Sequence, residues 1–564
     1  MYKCREGCLV EHQRTCAYGN SILNLAESHD SHYTLTTLLN LRCRVDAKCE
    51  IGIVGSQDEC TTTSKCTCTH HCSNLHILSV VVECVVSRNV QCCVWQTVCV
   101  VPCKPWVILT ALGHSHFECS LKLTPVTLEI VTNISVFVAD TVTGDEAEIK
   151  IIKTAKTYAV GILLQLITPS PIRCEEAEVC PVTRRCGGCV YQRVSYDKEL
   201  ELKKQYVTFA MKKAGAFPIH VNDVLSTGQI NGYRNKAQYP VGHETVDGKE
   251  HTVIGFYAAK SHTIIPADRC SLQPESFSDI VAFTADFCDR YNISAYDEKT
   301  ETGLLRHLYL RMGAATGQIM VCLVLNGEVF PHADTFCEAL TTRFPAVVSI
   351  QININKKATN VILGEDCRVL WGTSYIEDNL CGRTFRISPL SFYQVNHDGA
   401  VLLYNTAKNL LQLQPGESLL DLYCGIGTIG MSLADDDTPL VGIEIVPQAI
   451  ENAKENARRN GMTNAQFFCG DASDAGKILS DCGIRADAVV VDPPRKGLTP
   501  EVISYLAELN PSRIVYISCD ANTLARDIVR FRETGYDTDT VQPVDMFSRT
   551  GHVECVTRFH RVTQ

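Results

Sequence analysis

Two short apolar runs near the end of the chain constrain its fold more than any other feature. The run 489–491 ends in Asp492 and two prolines, and the run 514–517 ends in a Ser followed by Cys519. Between them, apolar residues recur at spacings of three from 503 to 509, which predicts a helix. A strand, a helix and a second strand form a parallel pair in open α/β sheets, where reactive groups lie beyond the carboxyl ends of the strands. We therefore expect Asp492 and Cys519 to meet in one crevice, the predicted active site.

The glycine-rich segment 419–430, LLDLYCGIGTIG, supports this interpretation. A lone Asp after a strand is often only a turn cap, and a lone Cys is often only a small buried side chain. Here a buried strand is followed by the glycine turn of a nucleotide-binding sheet. A sheet that binds a nucleoside makes a functional role for Asp492 and Cys519 the better hypothesis.

Acidic residues stand at the ends of four successive predicted strands: Asp421, Glu444, Asp471 and Asp492. In such sheets an acid after the second strand, the position of Glu444, accepts hydrogen bonds from ribose hydroxyls. The acid in the first strand would repel a pyrophosphate, and the loop has no phosphate-binding Lys. The pattern therefore favours S-adenosylmethionine (SAM) over a dinucleotide.

Composition indicates a soluble, multidomain protein. The 564 residues are enough for three or four domains, and 45% apolar with 20% charged residues is typical of globular proteins. The beginning of the sequence has no secretory signal pattern, and charges and prolines interrupt the most apolar region, 77–112. We expect a cytoplasmic protein without a membrane span.

The net charge of -11 argues against RNA or DNA binding by the whole surface, but a local basic face is possible. Basic residues outnumber acidic ones between residues 190 and 240, which indicates a candidate phosphate-facing strip or simply a solvated helix face. The basic residues of this strip are Arg193, Lys198, Lys203, Lys204, Lys212, Lys213, Arg234 and Lys236.

The chain has 30 cysteines, and one group of them stands out. Cys180, Cys186 and Cys189 fall within ten residues, and two glycines between the last two allow the backbone to fold tightly around a bound centre. Such a centre needs one more ligand from elsewhere. A second cysteine-rich run, 66–72, has metal-ligand residue types but no partner pair at zinc-finger spacing, so a metal site there is the weaker hypothesis.

The remaining patterns outline the rest of the chain. The region 134–173 contains three short β-rich runs, which predict strands of a small barrel. Residues 196–216 predict an amphipathic helix. The runs 317–325, 347–354 and 359–363 predict an antiparallel sheet with flanking helices.

Several motifs occur in a fixed order along the chain: CPVTRRCGGCVYQ, YRNKAQYPV, GFYAAKSHTIIPADRC, TGLLRHLYLR, SFYQVN, LLDLYCGIGTIG, VDPPRKGL, SCDANTLARD and HVE. Together they resemble the RNA uracil-5-methyltransferases, in particular the iron-sulfur-containing 23S ribosomal RNA branch. The resemblance extends from about residue 136 to residue 561.

The resemblance implies a fold of three parts. These are an α/β Rossmann-like SAM methyltransferase domain, a central α+β domain for RNA and an iron-sulfur cluster, and a small TRAM β-barrel. The barrel is expected to be partial, because nothing before residue 131 looks like its first strands. The expected divisions are 1–130, an unassigned segment that is either disordered or mispredicted; 131–172, partial TRAM barrel; 173–391, central domain; and 392–564, catalytic domain.

The resemblance also implies the site residues. SAM would contact Gln394, Tyr423, Thr428, Glu444, Asp471 and Asp492. The nucleophile would be Cys519 and the base Glu554. A 4Fe-4S cluster would be held by Cys180, Cys186, Cys189 and Cys270.

These roles predict a mechanism for methylating carbon 5 of uracil. The Cys519 thiolate, activated near a cationic cofactor, would add to carbon 6 and make carbon 5 nucleophilic. Asp492 would hold the pyrimidine edge, and Glu554, beside His552, would remove the carbon 5 proton. The target base must flip out of the RNA, where Phe392 could stack on it.

We expect a monomer that acts on RNA, with 23S ribosomal RNA the first candidate. Transfer RNA is the alternative substrate. An RNA-binding ribosome assembly factor and an amino-methyltransferase are further hypotheses, but neither needs the Cys519 and Glu554 pair.

Overall fold

The computed structural model describes residues 135–562 except 176–179, 260, 268 and 484, together with the strand backbones at 32–37, 80–85, 107–110, 118–122 and 129–132. The chain divides into two compact units, residues 1–175 and residues 176–564. None of the helices in these ranges is long and apolar enough to span a bilayer.

The first unit is built from short strands. A two-stranded antiparallel pair is followed by a six-stranded sheet in the order β5-β4-β3-β7-β8-β6. Its strands are β1 (His32–Thr37), β2 (Val80–Val85), β3 (Val107–Thr110), β4 (Glu118–Lys122), β5 (Glu129–Thr132), β6 (Ser135–Val138), β7 (Glu146–Thr154) and β8 (Tyr158–Thr168).

The three strands predicted after residue 134 are confirmed as β6, β7 and β8. The interpretation that no strand of this sheet precedes residue 131 is wrong, since β3 pairs with β7 and carries β4 and β5 beside it. The sequence before residue 131 has little sustained alternation of apolar and polar residues, so these strands were not predicted. The TRAM identity of this sheet stays a prediction.

The second unit begins with α1 (Thr183–Cys186), α2 (Tyr196–Ala214) and the short strand β9 (His220–Val221). The helix predicted at 196–216 is confirmed. A seven-stranded sheet follows in the order β12-β11-β10-β13-β14-β15-β16. It comprises β10 (Lys236–Val246), β11 (Lys249–Tyr257), β12 (Ile264–Pro266), β13 (Leu305–Met312), β14 (Ile319–Leu325), β15 (Val347–Ile354) and β16 (Asp366–Gly372), with helices α3 (Glu275–Tyr291) and α4 (Ala333–Arg343).

Both helices pack on one face of this sheet. Strand β14 reads as a continuous apolar run because its residues on the second face are buried as well. The sheet is antiparallel, as predicted, except for the parallel pair β14–β15. The predicted strand at 359–363 is wrong. This apolar run is a loop whose residues Ile362 and Leu363 pack on the second face of the sheet, and Asn355 Nδ2 donates to the carbonyls of residues 361 and 362.

The remainder of the chain forms a hairpin and a nine-stranded sheet in the order β21-β20-β19-β22-β23-β26-β25-β9, with β24 beside β26. The hairpin is β17 (Ile376–Leu380) with β18 (Arg383–Ile387). The other elements are α5 (His397–Leu411), β19 (Leu419–Leu422), α6 (Thr428–Leu433), β20 (Leu440–Glu444), α7 (Pro447–Arg459), β21 (Ala465–Cys469), α8 (Ala475–Cys482), β22 (Ala488–Val491), α9 (Pro500–Leu509), β23 (Arg513–Ser518), α10 (Ala521–Glu533), β24 (Tyr536–Asp537), β25 (Thr540–Val544) and β26 (Glu554–Arg561).

Strands β19 to β23 are parallel, and β26 runs antiparallel beside β23. Helices cover both faces of the sheet. Alternate residues of each strand point to opposite faces and so pack into two separate cores. The predicted Rossmann-like α/β fold is confirmed. The strands predicted around 419–422, 489–491 and 514–517 are all present.

Helix α2 of the second unit packs on this sheet. Val207 and Met211 of α2 lie in its core, and β9 pairs with β25. Residues 196–221 therefore contribute to the catalytic sheet although the sequence assigned them to the central domain. The predicted division at residue 391 stays a prediction, because residues 176–564 form one compact unit.

Candidate active site

Three strands bring the predicted reactive groups to one edge of the catalytic sheet. Val491, the last residue of β22, pairs with Tyr516 of β23, and Ser518 at the end of β23 pairs with Cys555 of β26. Asp492 and Cys519 therefore follow adjacent parallel strands, and Glu554 begins the antiparallel strand beside them. The electrostatic effects of these three groups on one another show that they lie close together, as the two apolar runs predict for Asp492 and Cys519.

The surroundings of these groups favour their neutral forms. Burial, and then the charges of Glu554 and Asp492, raise the pKa of the Cys519 thiol to about 11. Burial and Asp492 raise the pKa of Glu554 to about 8, and burial raises the pKa of Asp492 to about 7. The expectation of an activated thiol is therefore not met by the protein groups alone, because two carboxyl groups face Cys519.

One cation offsets these carboxyl groups. Arg495, in the turn after Asp492, lowers the pKa of both Cys519 and Glu554, although burial outweighs it. Its Nη2 atom lies 3.5 Å from each ring nitrogen of His552. Burial, with Arg495 next, lowers the pKa of His552. Arg495 was not predicted as a site residue, although its place in the turn after Asp492 was a usable signal.

The glycine turn is held by two of the strand-end acids. Asp421 Oδ2 accepts a hydrogen bond from Gly430 N at 2.7 Å, and Glu444 Oε2 accepts one from Gly425 N at 3.3 Å. Gly427 has φ of 84°, and a Cβ there would lie 2.2 Å from Met431 Cε, so only glycine fits. Asp421, in β19, thus fixes the glycine turn through its hydrogen bond to the backbone of Gly430.

The other predicted SAM contacts lie around this turn. Glu444 also accepts from Val446 N at 3.0 Å, and Asp471 caps the next turn by accepting from Ser473 N at 2.9 Å. Tyr423 lies close enough to Asp471 and Glu444 that both raise its pKa after burial, to about 12. Thr428 is buried at the start of α6.

Gln394 lies outside the catalytic sheet, in the segment between β18 and α5. Its carbonyl oxygen accepts from Asn235 Nδ2 at 2.9 Å, and its side chain is almost fully buried. Two residues earlier, Phe392 is 64% exposed, as a base-stacking side chain must be. The segment 392–394 therefore connects the exposed ring with the predicted cofactor contact.

The four predicted cluster ligands lie together elsewhere in this unit. Cys180, Cys186, Cys189 and Cys270 line one cavity. Burial raises the pKa of Cys189 to about 11, and the three other cysteines add to the shift. Within the described ranges, no three His, Cys, Asp or Glu side chains are grouped closely enough to hold a single metal ion. The weaker candidate at 66–72 lies outside the described residues.

Gly187 explains part of the tight turn in this motif. Its φ is 66°, and a Cβ would lie 2.6 Å from Ala259 Cβ. Gly188 has an ordinary φ, so the close approach needs glycine at residue 187. The prediction of a tight backbone turn between Cys186 and Cys189 is confirmed at that position.

A buried charge network lies behind the active-site loop 545–553. Lys203 Nζ donates to Glu199 Oε1 at 2.8 Å and to Asp545 Oδ1 at 2.7 Å, and all three side chains are 0–1% exposed. Arg549 N donates to Glu199 Oε1 at 2.7 Å. The basic strip predicted at 190–240 is therefore not one solvated face, because Lys203 is an internal ion-pair residue.

Comparison with known proteins decides the family. The family described as "tRNA (Uracil-5-)-methyltransferase" matches residues 195–562. An uncharacterized RNA methyltransferase of Clostridium tetani is 43% identical over 76% of this chain and 91% of its own length. One of Bacillus cereus is 41% identical over 77% of this chain and 93% of its own length. The chain belongs to the tRNA (uracil-5-)-methyltransferase family.

A solved structure extends this family assignment to the fold. The crystal structure of Pyrococcus abyssi tRNA (uracil-54, C5)-methyltransferase in complex with S-adenosyl-L-homocysteine is similar with a TM-score of 0.62 and 26% identity. The similarity covers 80% of this chain and 99% of that one. As a member of this methyltransferase family, the protein is a SAM-dependent RNA methyltransferase of the uracil-5 class.

Proposed function

We propose that this enzyme methylates carbon 5 of a uridine through a covalent bond between Cys519 and the uracil ring. The observation that carries the proposal is the meeting of Asp492, Cys519 and Glu554 at the ends of adjacent strands. SAM supplies the methyl group and a sulfonium charge that offsets the carboxyl groups. The acids and the glycine turn around Tyr423 are suited to a cationic nucleoside.

The first steps need the Cys519 sulfur and the edge of the base. As the sulfur–carbon 6 bond forms, the thiol gives its proton to solvent and electron density moves to carbon 5. Carbon 5 then takes the methyl group from SAM, whose sulfur–methyl bond breaks to leave S-adenosyl-L-homocysteine. Asp492, still partly exposed in the crevice, donates or accepts a hydrogen bond at the pyrimidine edge. With a pKa near neutrality it can do either.

The last steps need a base. Glu554 removes the proton from carbon 5, and the returning electron pair reforms the ring double bond and expels the Cys519 sulfur. Arg495 favours the ionised form of Glu554, which this step requires. The target uridine is flipped out of the RNA, and we place Phe392 against it or its neighbour.

A direct test uses labelled SAM and total RNA from cells lacking the gene. The enzyme should transfer label to RNA, and digestion should release the label as 5-methyluridine. Label in a methylated amino group, or no label with active controls, would overturn the proposal.

We also propose ribosomal RNA, specifically 23S, as the substrate, with transfer RNA the alternative. The four thiols around one cavity support the ribosomal branch that the motifs resemble, whereas the solved relative is a transfer RNA enzyme. Mapping 5-methyluridine in both RNA fractions from a deletion strain separates the two. Loss confined to transfer RNA would contradict the ribosomal assignment.

The residues around that cavity fit a 4Fe-4S cluster. A four-iron cluster binds each thiolate through a different iron, so its ligands need not converge on one point as they do around a single ion. Cys180, Cys186, Cys189 and Cys270 would hold it, and it would shape this part of the unit, since methyl transfer needs no electron carrier. Anaerobically purified protein should contain about four irons and absorb visible light; iron-free protein with full activity would overturn the proposal.

A further inference from the structure

Three basic side chains lie together at one end of the central sheet. Lys236, the first residue of β10, pairs with Arg311 of β13, and Arg234 lies two residues before Lys236. Arg311 and Arg234 are the charges that act on Lys236 after burial, and they lower its pKa to about 8. No acidic group counters them in that environment. This cationic cluster is therefore unbalanced within the described part of the chain.

The cluster also has unused hydrogen-bond donors. Arg311 is 2% exposed, and its Nη1 atom donates to the carbonyl oxygens of Ser388 and Ser391, each at 2.7 Å. Its Nη2 atom and the Nε atom of Arg234 are buried without a partner among the described residues. Unsatisfied donors on charged groups are costly, which favours an anion at this position.

The cluster lies next to the candidate active site. Asn235, between Arg234 and Lys236, donates its backbone N to Val395 O at 2.8 Å and its Nδ2 to Gln394 O. Arg311 supports the loop that ends just before the exposed Phe392. Arg234 is also among the charges that lower the pKa of His552, after burial and Arg495. The cations therefore lie between the base-stacking segment and the catalytic loop.

We propose that Arg234 and Lys236 bind an RNA phosphate next to the target uridine, while Arg311 fixes the 388–391 loop beside Phe392. The inference rests on the proposed RNA function and names the backbone contact that function requires. A flipped base needs its flanking phosphates held, and phosphate contacts position RNA without reading its sequence.

A purely structural role for Lys236 makes the opposite prediction about stability. If Lys236 holds the fold together, Lys236→Gln destabilises the protein. If Lys236 instead binds phosphate, the same change relieves its repulsion from Arg234 and Arg311. The unfolding midpoint should then be equal or higher, while RNA binding weakens.

The experiment measures the salt dependence of binding to a uridine-rich single-stranded RNA oligonucleotide. Each phosphate contact adds about 0.7 to the slope of log K against log salt. Lys236→Gln should reduce the slope by about that amount and weaken binding several-fold at low salt, and Lys236→Arg should restore both.

Lys356→Gln is the matched control, because it removes the same charge from the other end of the sheet. Lys356 is an exposed residue paired with Glu328. Its neighbour Lys357 accepts a hydrogen bond from Arg306 at its carbonyl oxygen. Arg306 precedes Arg311 by five residues, which is about 17 Å along β13. This variant should keep the wild-type slope.

An unchanged slope in Lys236→Gln, or an equal loss in Lys356→Gln, would overturn the inference. A lower unfolding midpoint with normal binding would also overturn it. Methyl transfer assays separate the two proposals. If the wild-type enzyme methylates RNA but Lys236→Gln keeps the wild-type slope, only the phosphate site is wrong. If Lys236→Gln lowers the slope but the wild-type enzyme methylates no RNA, only the proposed reaction is wrong.

Discussion

At the residue scale, the protein groups hold the nucleophile and the base in their protonated forms. The pKa of Cys519, about 11, and that of Glu554, about 8, are both raised chiefly by burial. A buried carboxyl group near Asp492 remains neutral because a second negative charge in the same crevice is unfavourable. The reactive forms therefore depend on positive charge, which Arg495 supplies and the SAM sulfonium increases.

This arrangement makes stability depend on pH in a defined direction. The folded-state pKa of Glu554 lies above its usual value of 4.5, so the folded protein holds a proton that the unfolded chain has lost. Stability is greatest below the unfolded value and falls as the pH rises to about 8. Glu554→Gln, a neutral replacement, should remove this loss. Between about pH 6 and pH 9, without SAM, the wild-type midpoint should fall relative to the variant by roughly several degrees.

The control for this measurement is Glu508→Gln, at an exposed position of α9. It should follow the wild-type pH dependence. If Glu554→Gln and the wild type lose stability in parallel, the carboxyl group is already ionised in the folded enzyme, and its proposed protonation state is wrong.

At the element scale, the loop 545–553 owes its position to the helix α2. Lys203 bridges Glu199 of its own helix and Asp545 of the loop, and Tyr196 donates to Asp545 Oδ2 at 2.6 Å. The loop then leads into Glu554. A helix distant in sequence therefore positions the proposed base.

Removing the central cation should be severe. Lys203→Met leaves the buried carboxylates of Glu199 and Asp545 without the cation that they share, which costs about 3–5 kcal/mol. Urea unfolding should show this loss, and kcat should fall because the loop is displaced.

Lys198→Met is the comparison, since Lys198 forms an exposed pair with Glu201 on the same helix. It should cost about 1 kcal/mol or less. Equal losses in the two variants would mean that the buried network does not anchor the loop.

Some of these elements could be predicted from the sequence and others could not. The strand 347–354 was predicted to the residue, because apolar residues alternate with polar ones along it. The run 359–363 is also rich in β-branched residues, but it lies over the sheet, where the side chain of Asn355 donates to two of its carbonyl groups. Lys203 looked like a surface lysine, since sequence spacing does not show that Asp545 will lie beside it.

At the scale of the whole molecule, each residue proposed for SAM, RNA, cluster or chemistry lies in the second unit. The motifs made this unit's fold and site predictable, because each couples a strand end to a reactive side chain. The first unit has no such coupling, so β3 and β4 were missed.

A chain beginning at residue 176 should fold and bind SAM with an affinity close to that of the full protein. A chain beginning at residue 131 should aggregate more, because it lacks β3 and β4 and leaves the edge of β7 unpaired. Calorimetric titration measures the affinity for SAM, and light scattering measures aggregation. Loss of SAM binding in folded 176–564 would show that the first unit completes the site.

The central claim is that Glu554 acts after a bond between Cys519 and the uracil ring has formed. Glu554→Gln should permit addition and methyl transfer but block release, since removing a general base lowers the rate of its step by about 100- to 10,000-fold. Cys519→Ala should form neither adduct nor product, because the ring is never activated.

The most direct measurement is denaturing electrophoresis of each variant after incubation with RNA and methyl-labelled SAM. We expect a labelled protein–RNA band for Glu554→Gln and none for Cys519→Ala or the Glu554→Gln, Cys519→Ala double variant. Wild-type turnover by Glu554→Gln without an adduct, or a labelled band that persists without Cys519, would contradict it.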